Sequence, residues 1–291
     1  MHIYRSRVSL LAVLTIACSG CLLLPQSSQW DPIHLAAMDD NVAAIRDQLI
    51  SGVDVDLEDK RGRSALYWAS LYGNIDAVSY LLAEGASITL GASWKAGTQP
   101  IHVAARHGNI DVLRILIQHG ADVNAVNRLG MTPLHAAAWN QQAEAVSFLI
   151  KTGADVNQTT NDKRTALHLD KFELSSYERE QYEKIVIELL QAGANPNVKT
   201  QPRELTPLMY ACYVDSMNAV RMLAKAGANI TAMSSSGETA MSLAIKNNNS
   251  MIVDYLAKTA LREGEDRPGQ TEKIENSHSP GAEGGGGGTS R

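Results

Sequence analysis

"MTPLHAAAWNQQAEAVSFLIKTGADVN", Met131 to Asn157, repeats a string that stands 33 positions earlier, "TQPIHVAARHGNIDVLRILIQHGADVN", Thr98 to Asn124. In the later copy Leu134, Ala137 and Ala138 fall on one face of a first helix. Val146, Leu149 and Ile150 fall on one face of a second, at i, i+3, i+4 spacing. Pro133 sits in the first helical turn, where its missing N–H is not needed. Gly153 ends the second helix, since glycine takes positive φ without a Cβ penalty. "ADVNAVNRLG" and its counterparts carry turn formers, which predicts a short projecting hairpin between one helix pair and the next.

The same unit can be followed along the chain in two registers. The residue after the Pro or Ala that opens each first helix is Ile33, Leu66, Ile101, Leu134, Leu167, Leu208 and Met241, in steps of 33, 35, 33, 33, 41 and 33. The glycine before each acidic turn is Gly52, Gly85, Gly120, Gly153, Gly193 and Gly227. Two independent registers with one period define a repeat architecture. "TPLHAAA" and "GADVN" resemble the consensus of the ankyrin repeat. That resemblance implies an all-α repeat solenoid, each unit a helix-turn-helix plus a β-hairpin loop. Seven units span residues 31–263. A single unit has too little core to stand alone, so stacking on neighbours must supply the stability.

The flanks read differently. "MHIYRSR" is basic, "VSLLAVLTIA" is an apolar run too short to span a bilayer as a stable helix, and "ACSGC" follows. "LTIAC" resembles the lipobox of bacterial lipoproteins, which implies a signal peptide over 1–17, a lipidated Cys18 and a tether over 18–30. Cys21 is the alternative lipidation site, and a cleaved signal without lipid is a further one. From Cys18 to Asp31 such a tether reaches at most ~45 Å at about 3.5 Å per residue. Residues 264–291 are almost devoid of apolar side chains and read as a disordered tail. The end units read as caps: "NVAAIRDQLI" in the first is polar on its outer side, and "IKNNNS" in the last brings Lys246 and three asparagines.

Residue types that could carry chemistry are better explained by structure. His34, His102, His135 and His168 recur at one place in their units, but units stack about 10 Å apart, whereas metal ligands converge within about 2 Å of one ion. In the family this His ties the Thr-Pro turn to neighbouring hairpin backbone. Asp54, Asp122 and Asp155 supply one carboxylate per hairpin and brace turns rather than hold calcium. Cys212 stands in for a helix alanine as a small apolar filler. No nucleophile elbow, cofactor loop or metal set is expected. A net charge of −5, with no long basic block, argues against nucleic acid. The fifth unit departs from the pattern: Asp170 and Lys171 replace the alanine pair, and seven extra residues lie between Leu167 and Gly193, a functional insertion or neutral drift.

In this family partners are held by hairpin tips and by the exposed ends of first helices. The corresponding residues nominate Tyr72, His107, Trp139, Asn140, Phe172 and Tyr213 as partner-binding, with packing against the next hairpin as the alternative. Lys95 and Arg128, with Lys60, Arg61 and Arg63, give the tips a basic edge suited to an acidic partner, or a solvated rim. The expectation is a non-catalytic protein–protein interaction scaffold, lipid-anchored in the bacterial cell envelope and facing the periplasm. It needs no cofactor, no metal and no small-molecule substrate. An immunity-type inhibitor of an envelope-active toxin is the alternative; an enzyme with its site at the fifth-unit insertion is a third.

Overall fold

A computed structural model of the chain describes residues 31–91, 97–169 and 175–265. Cys18, Cys21, Lys95 and Phe172 lie outside the described residues, as do the tether and the tail from residue 266 onward. The chain forms two compact units, one ending at Ala154 and the other beginning at Asp155.

The first unit holds four helix pairs: α1 (Pro32–Met38) with α2 (Val42–Ile50), α3 (Ala65–Tyr72) with α4 (Ile75–Ala83), α5 (Pro100–His107) with α6 (Ile110–Gln118), and α7 (Pro133–Trp139) with α8 (Ala143–Lys151). The first helices α1, α3, α5 and α7 pack side by side as one layer, and α2, α4, α6 and α8 as a second. Ile33, Leu66, Ile101 and Leu134 are all buried between them, with Ala37, Ala69, Ala104 and Ala137. Those alanines let neighbouring first helices approach closely. Thr132 caps α7 by accepting from the His135 N–H, and Pro133 follows at the first helical position. Each second helix ends in a glycine at strongly positive φ, +96° at Gly153. The glycine register is therefore a backbone requirement.

A further position of the repeat takes positive φ whether or not it holds glycine. Gly73 and Gly108 are joined there by Asp40, Gln141, Asp215 and Asn248. The next residue does a second job: the Asn74 amide donates to the Ala37 and Met38 carbonyls at 2.7 and 2.8 Å, and Asn109 to those of Ser70 and Leu71 at 2.9 and 3.1 Å. These bonds satisfy carbonyls that the end of a helix leaves open.

The second unit contains α9 (Ser176–Gln191), α10 (Pro207–Tyr213), α11 (Met217–Lys225), α12 (Ala240–Lys246) and α13 (Ser250–Glu265). Here α10 packs on α12, and α11 on both α9 and α13. The departures of the fifth unit resolve cleanly. Residues 165–169 carry the consensus opening, yet form a turn and no helix. The second helix α9 has 16 residues where α8 has 9, so it takes up the seven extra residues. Its added turns are tied down: Tyr182 is fully buried beside Cys212, Arg179 Nη1 donates to the Asp215 carbonyl at 2.9 Å, and Glu183 accepts from Ser216 Oγ and Asn218 Nδ2 at 2.8 and 2.9 Å.

The connections are turns rather than ladders. Among the described residues there is no strand; isolated bridge residues occur, among them the antiparallel pair Met233 and Thr239. The polar cap of the last unit is partial: Lys246 is exposed, but so are Ile245 and Met251. Among the described residues no helix is long and apolar enough to cross a membrane.

Candidate functional site

Two columns of polar groups hold the tips in place. The first is the histidines. His34, His102 and His168 point Nε2 at the carbonyls of Leu57, Met131 and Val198, at 2.9, 3.0 and 3.0 Å. In all four the Nδ1 atom accepts a backbone N–H three residues earlier, that of Asp31, Gln99, Thr132 and Thr165. Where that earlier residue is threonine its hydroxyl joins in, 2.8 Å from His135 Nδ1 and 3.0 Å from His168 Nδ1. An Nδ1 that accepts requires the neutral tautomer with the proton on Nε2. Burial pushes the His102 imidazole below its usual pKa and holds His168 at about 4. The column is a structural tie between helix start and hairpin backbone.

The second column is chemically mixed. Asp59, Asn127, Thr160, Thr200 and Ser234 are all buried at the base of a tip. Each offers one side-chain oxygen to backbone N–H groups across the turn, for example Asn127 Oδ1 to Leu129 and Met131 at 2.9 and 3.0 Å. Asp54, Asp122 and Asp155 brace the preceding turn, each accepting the N–H two residues on at 3.0, 2.9 and 2.8 Å. Asp59 does more: Arg63 Nη2 lies 2.7 Å and Trp68 Nε1 3.2 Å from its Oδ2. Burial alone would raise this carboxyl, but the Arg63 guanidinium and two backbone N–H groups outweigh it and hold it below its usual range. Arg63 therefore leaves the expected basic edge and lies over the Trp68 ring, 4.0 Å from its centroid. Lys60, Arg61 and Arg128 are exposed at the tips.

The ends of the first helices differ from one another. Tyr72 is 55% exposed and stacks on Trp68, centroids 6.2 Å apart. His107 and its neighbour Arg106 are exposed at the end of α5. Trp139 is half-buried, edge-on to His135 at 5.6 Å, and the Asn140 amide is turned back onto the Ala136 carbonyl at 2.8 Å. Thus α3, α5 and α7, which pack in that order, present Tyr72, His107 and Trp139 at matching ends.

In the second unit Tyr213 is half-buried and lines a cavity of about 540 Å³ with Asp162, Arg164, Arg203 and Tyr210. The rim is the tip closed by the bond from the Thr200 N–H to the Leu205 carbonyl, one residue longer than the tip closed from Asn127 to Met131. The peptide between Gln201 and Pro202 in this tip is cis. Arg164 Nε lies 2.6 Å from Asp162 Oδ2, and Tyr210 meets His168 edge-on at 5.6 Å.

Family comparisons agree with this architecture. The family described as ankyrin repeats in three copies matches residues 13–92 and 175–264, more than half of the chain, and that of ankyrin repeats in many copies matches residues 101–150. The chain is an ankyrin-repeat protein. An ankyrin repeat domain from Acinetobacter baumannii is 33% identical, with 68% of this chain and 98% of that one covered and a TM-score of 0.57. The ankyrin repeat domain of human ASB11 shares the fold at 23% identity and a TM-score of 0.67, covering 79% of this chain and 98% of its own. No curated protein matches the sequence.

Ankyrin repeats form scaffolds for binding other proteins. Of the residues nominated for that role, the fold brings Tyr72, His107 and Trp139 together and places Tyr213 in the cavity of the other unit. Arg164, Arg203 and Tyr210 were not singled out. A signal for the cavity's rim was present in the ankyrin registers: Leu208 follows Gly193 by 15 positions, whereas Leu134 follows Gly120 by 14. That difference is the extra tip residue.

Proposed function

We propose that this protein is a non-catalytic binding module, tethered by lipid on Cys18 in a bacterial envelope, that holds another protein at the ends of its first helices. The observation that carries the binding surface is Tyr72. A large ring that is more than half exposed, yet already stacked on Trp68, is an anchor whose ordering costs little on association. The exposed Arg106 and His107 beside it supply polar contacts of the kind found at an interface rim. The tether is supported by "LTIAC", which lies outside the described residues.

Crosslinking in intact envelopes, followed by affinity measurement with the captured protein, tests the surface. Tyr72→Ala should weaken that complex by about 2 kcal/mol, roughly 30-fold, while the circular dichroism of the variant stays unchanged. Unchanged affinity would show that this face is scaffold. Mass spectrometry of the mature N-terminus tests the tether: a diacylated Cys18 is expected. An acylated Cys21 would move the site, and an unmodified N-terminus beyond both cysteines would end the lipoprotein reading.

A further inference from the structure

The cavity in the second unit contains two polar groups that the fold leaves unused. Tyr210 is only 3% exposed, and among the described residues its hydroxyl has no hydrogen-bond partner. Asp162, Arg164, Arg203 and Tyr213 all lie close enough to influence its ionisation, which places the hydroxyl within the lining. Burial raises its pKa, so it remains a donor at neutral pH. The hydroxyl opens onto the cavity, where a bound acceptor would take the place of solvent. The second unused group is the exposed Arg203, whose guanidinium has no ion-pair partner among the described residues. The other arginine, Arg164, is neutralised by Asp162. Glu238, whose carboxyl feels the charge of Arg203, is bonded by Lys246 and Ser236. The lining therefore offers one uncompensated positive charge, one neutral donor and the wall formed by Tyr213.

We propose that this cavity recognises an acidic peptide segment of the partner protein, with one Asp or Glu carboxylate bonded by Tyr210 Oη and Arg203 and an adjacent residue against Tyr213. A carboxylate fits better than a phosphate, because a dianion would meet a single free guanidinium and the Asp162 carboxylate. A volume of about 540 Å³ lies within the range of ligand pockets and is deep enough for a side chain with its flanking backbone. The assignment rests on the binding-module reading, but its test does not depend on the Tyr72 face.

A random heptapeptide library displayed on phage is panned on the full-length protein, and the recovered peptides are synthesised with each acid also replaced by its amide. The expected result is enrichment of Asp or Glu at one position. Binding by fluorescence polarisation should then fall about tenfold or more on amide replacement or in Arg203→Gln, and about fivefold in Tyr210→Phe, and should weaken with salt. Arg203 is exposed and Tyr210→Phe keeps the ring, so both variants should remain folded. Tyr72→Ala should bind the peptides as the parent does, which separates failure here from failure of the first-helix surface. No enrichment of acidic residues would overturn the proposal, as would acidic peptides bound equally by Arg203→Gln and Tyr210→Phe. Displacement of the peptide by inorganic phosphate at equal or lower concentration would reassign the pocket to phosphate chemistry and would also overturn it.

Discussion

His168 makes the protein sensitive to mild acid, and the size of the effect follows from its surroundings. The ring is fully buried, Nδ1 accepts from the Thr165 N–H and faces its hydroxyl, both at 3.0 Å, and Nε2 donates to the Val198 carbonyl at 3.0 Å. A second ring proton would point at the Thr165 N–H, a donor facing a donor, on a ring closed off from solvent. Burial accordingly holds the imidazole at about 4, against about 6.5 for an unfolded histidine. The folded pKa is the lower one, so the unfolded chain binds a proton that the folded chain refuses. The contribution to stability is complete above pH 6.5 and is lost as pH falls from there through 4. Linkage gives a loss of about 2 kcal/mol between pH 7 and pH 5, and roughly 3 kcal/mol by pH 4. Urea unfolding of the parent and of His168→Gln at pH 7 and pH 5 isolates the effect, because glutamine can both donate and accept but does not titrate. Whatever the variant loses at pH 7, its stability should fall about 2 kcal/mol less than the parent's on going to pH 5. Equal losses would refute the argument, since they would mean that folded His168 titrates as freely as it does in the unfolded chain.

Three substitutions test other parts of the framework. Asp59→Ala should cost about 3 kcal/mol in chemical denaturation, because Arg63, the Trp68 indole and two backbone N–H groups lose their acceptor together; a loss below about 1 kcal/mol would mean that the cluster contributes no more than a surface pair. Gln141→Gly should raise stability by about 1 kcal/mol, since the residue sits at φ +61° and neither amide atom of its buried side chain has a partner. A lower melting temperature would show that the Gln141 methylenes matter more than the strain. Tyr182→Phe should be neutral or stabilising by about 1 kcal/mol, because its buried hydroxyl lacks a partner; a clear loss would place a hydrogen bond there.

How much of this was legible in the chain depended on whether a position repeats by identity or by chemistry. The glycine register repeats by identity and its companion by large apolar type, and together they locate the helix pairs of the first unit. The column of Asp59, Asn127, Thr160, Thr200 and Ser234 repeats only by function. Its five members present one oxygen acceptor each from four residue types. No comparison of letters aligns them, yet all do one job. The Arg63 misreading has the same origin: a charge counted as free is consumed by a carboxylate four residues away. At Trp139 and Asn140 the position allows either a partner contact or packing: the His135 edge and the Ala136 carbonyl take up part of each, and part stays accessible.

In the fifth unit a matching opening is followed by no helix over residues 165–169. "TALH" keeps the threonine and the histidine tie, and both are formed, with His168 bonded as its counterparts are. A first helix also has to pack against its neighbours through the small pair that follows, and that pair is Asp170–Lys171 in place of alanines. Asp170 and Lys171 lie outside the described residues. The second helix departs as well: α9 is seven residues longer than α8, Tyr182 enters the core beside Cys212, and Arg179 and Glu183 bind the turn between α10 and α11. The one residue by which the following tip is lengthened, at Thr200–Leu205, forms the rim of the cavity lined by Arg203 and Tyr210. The 41-residue step from Leu167 to Leu208 therefore exceeds 33 by two separate events, seven residues that lengthen α9 and one that shapes a pocket. The bulk of the irregularity is structural, and the candidate for recognition lies in its smallest part.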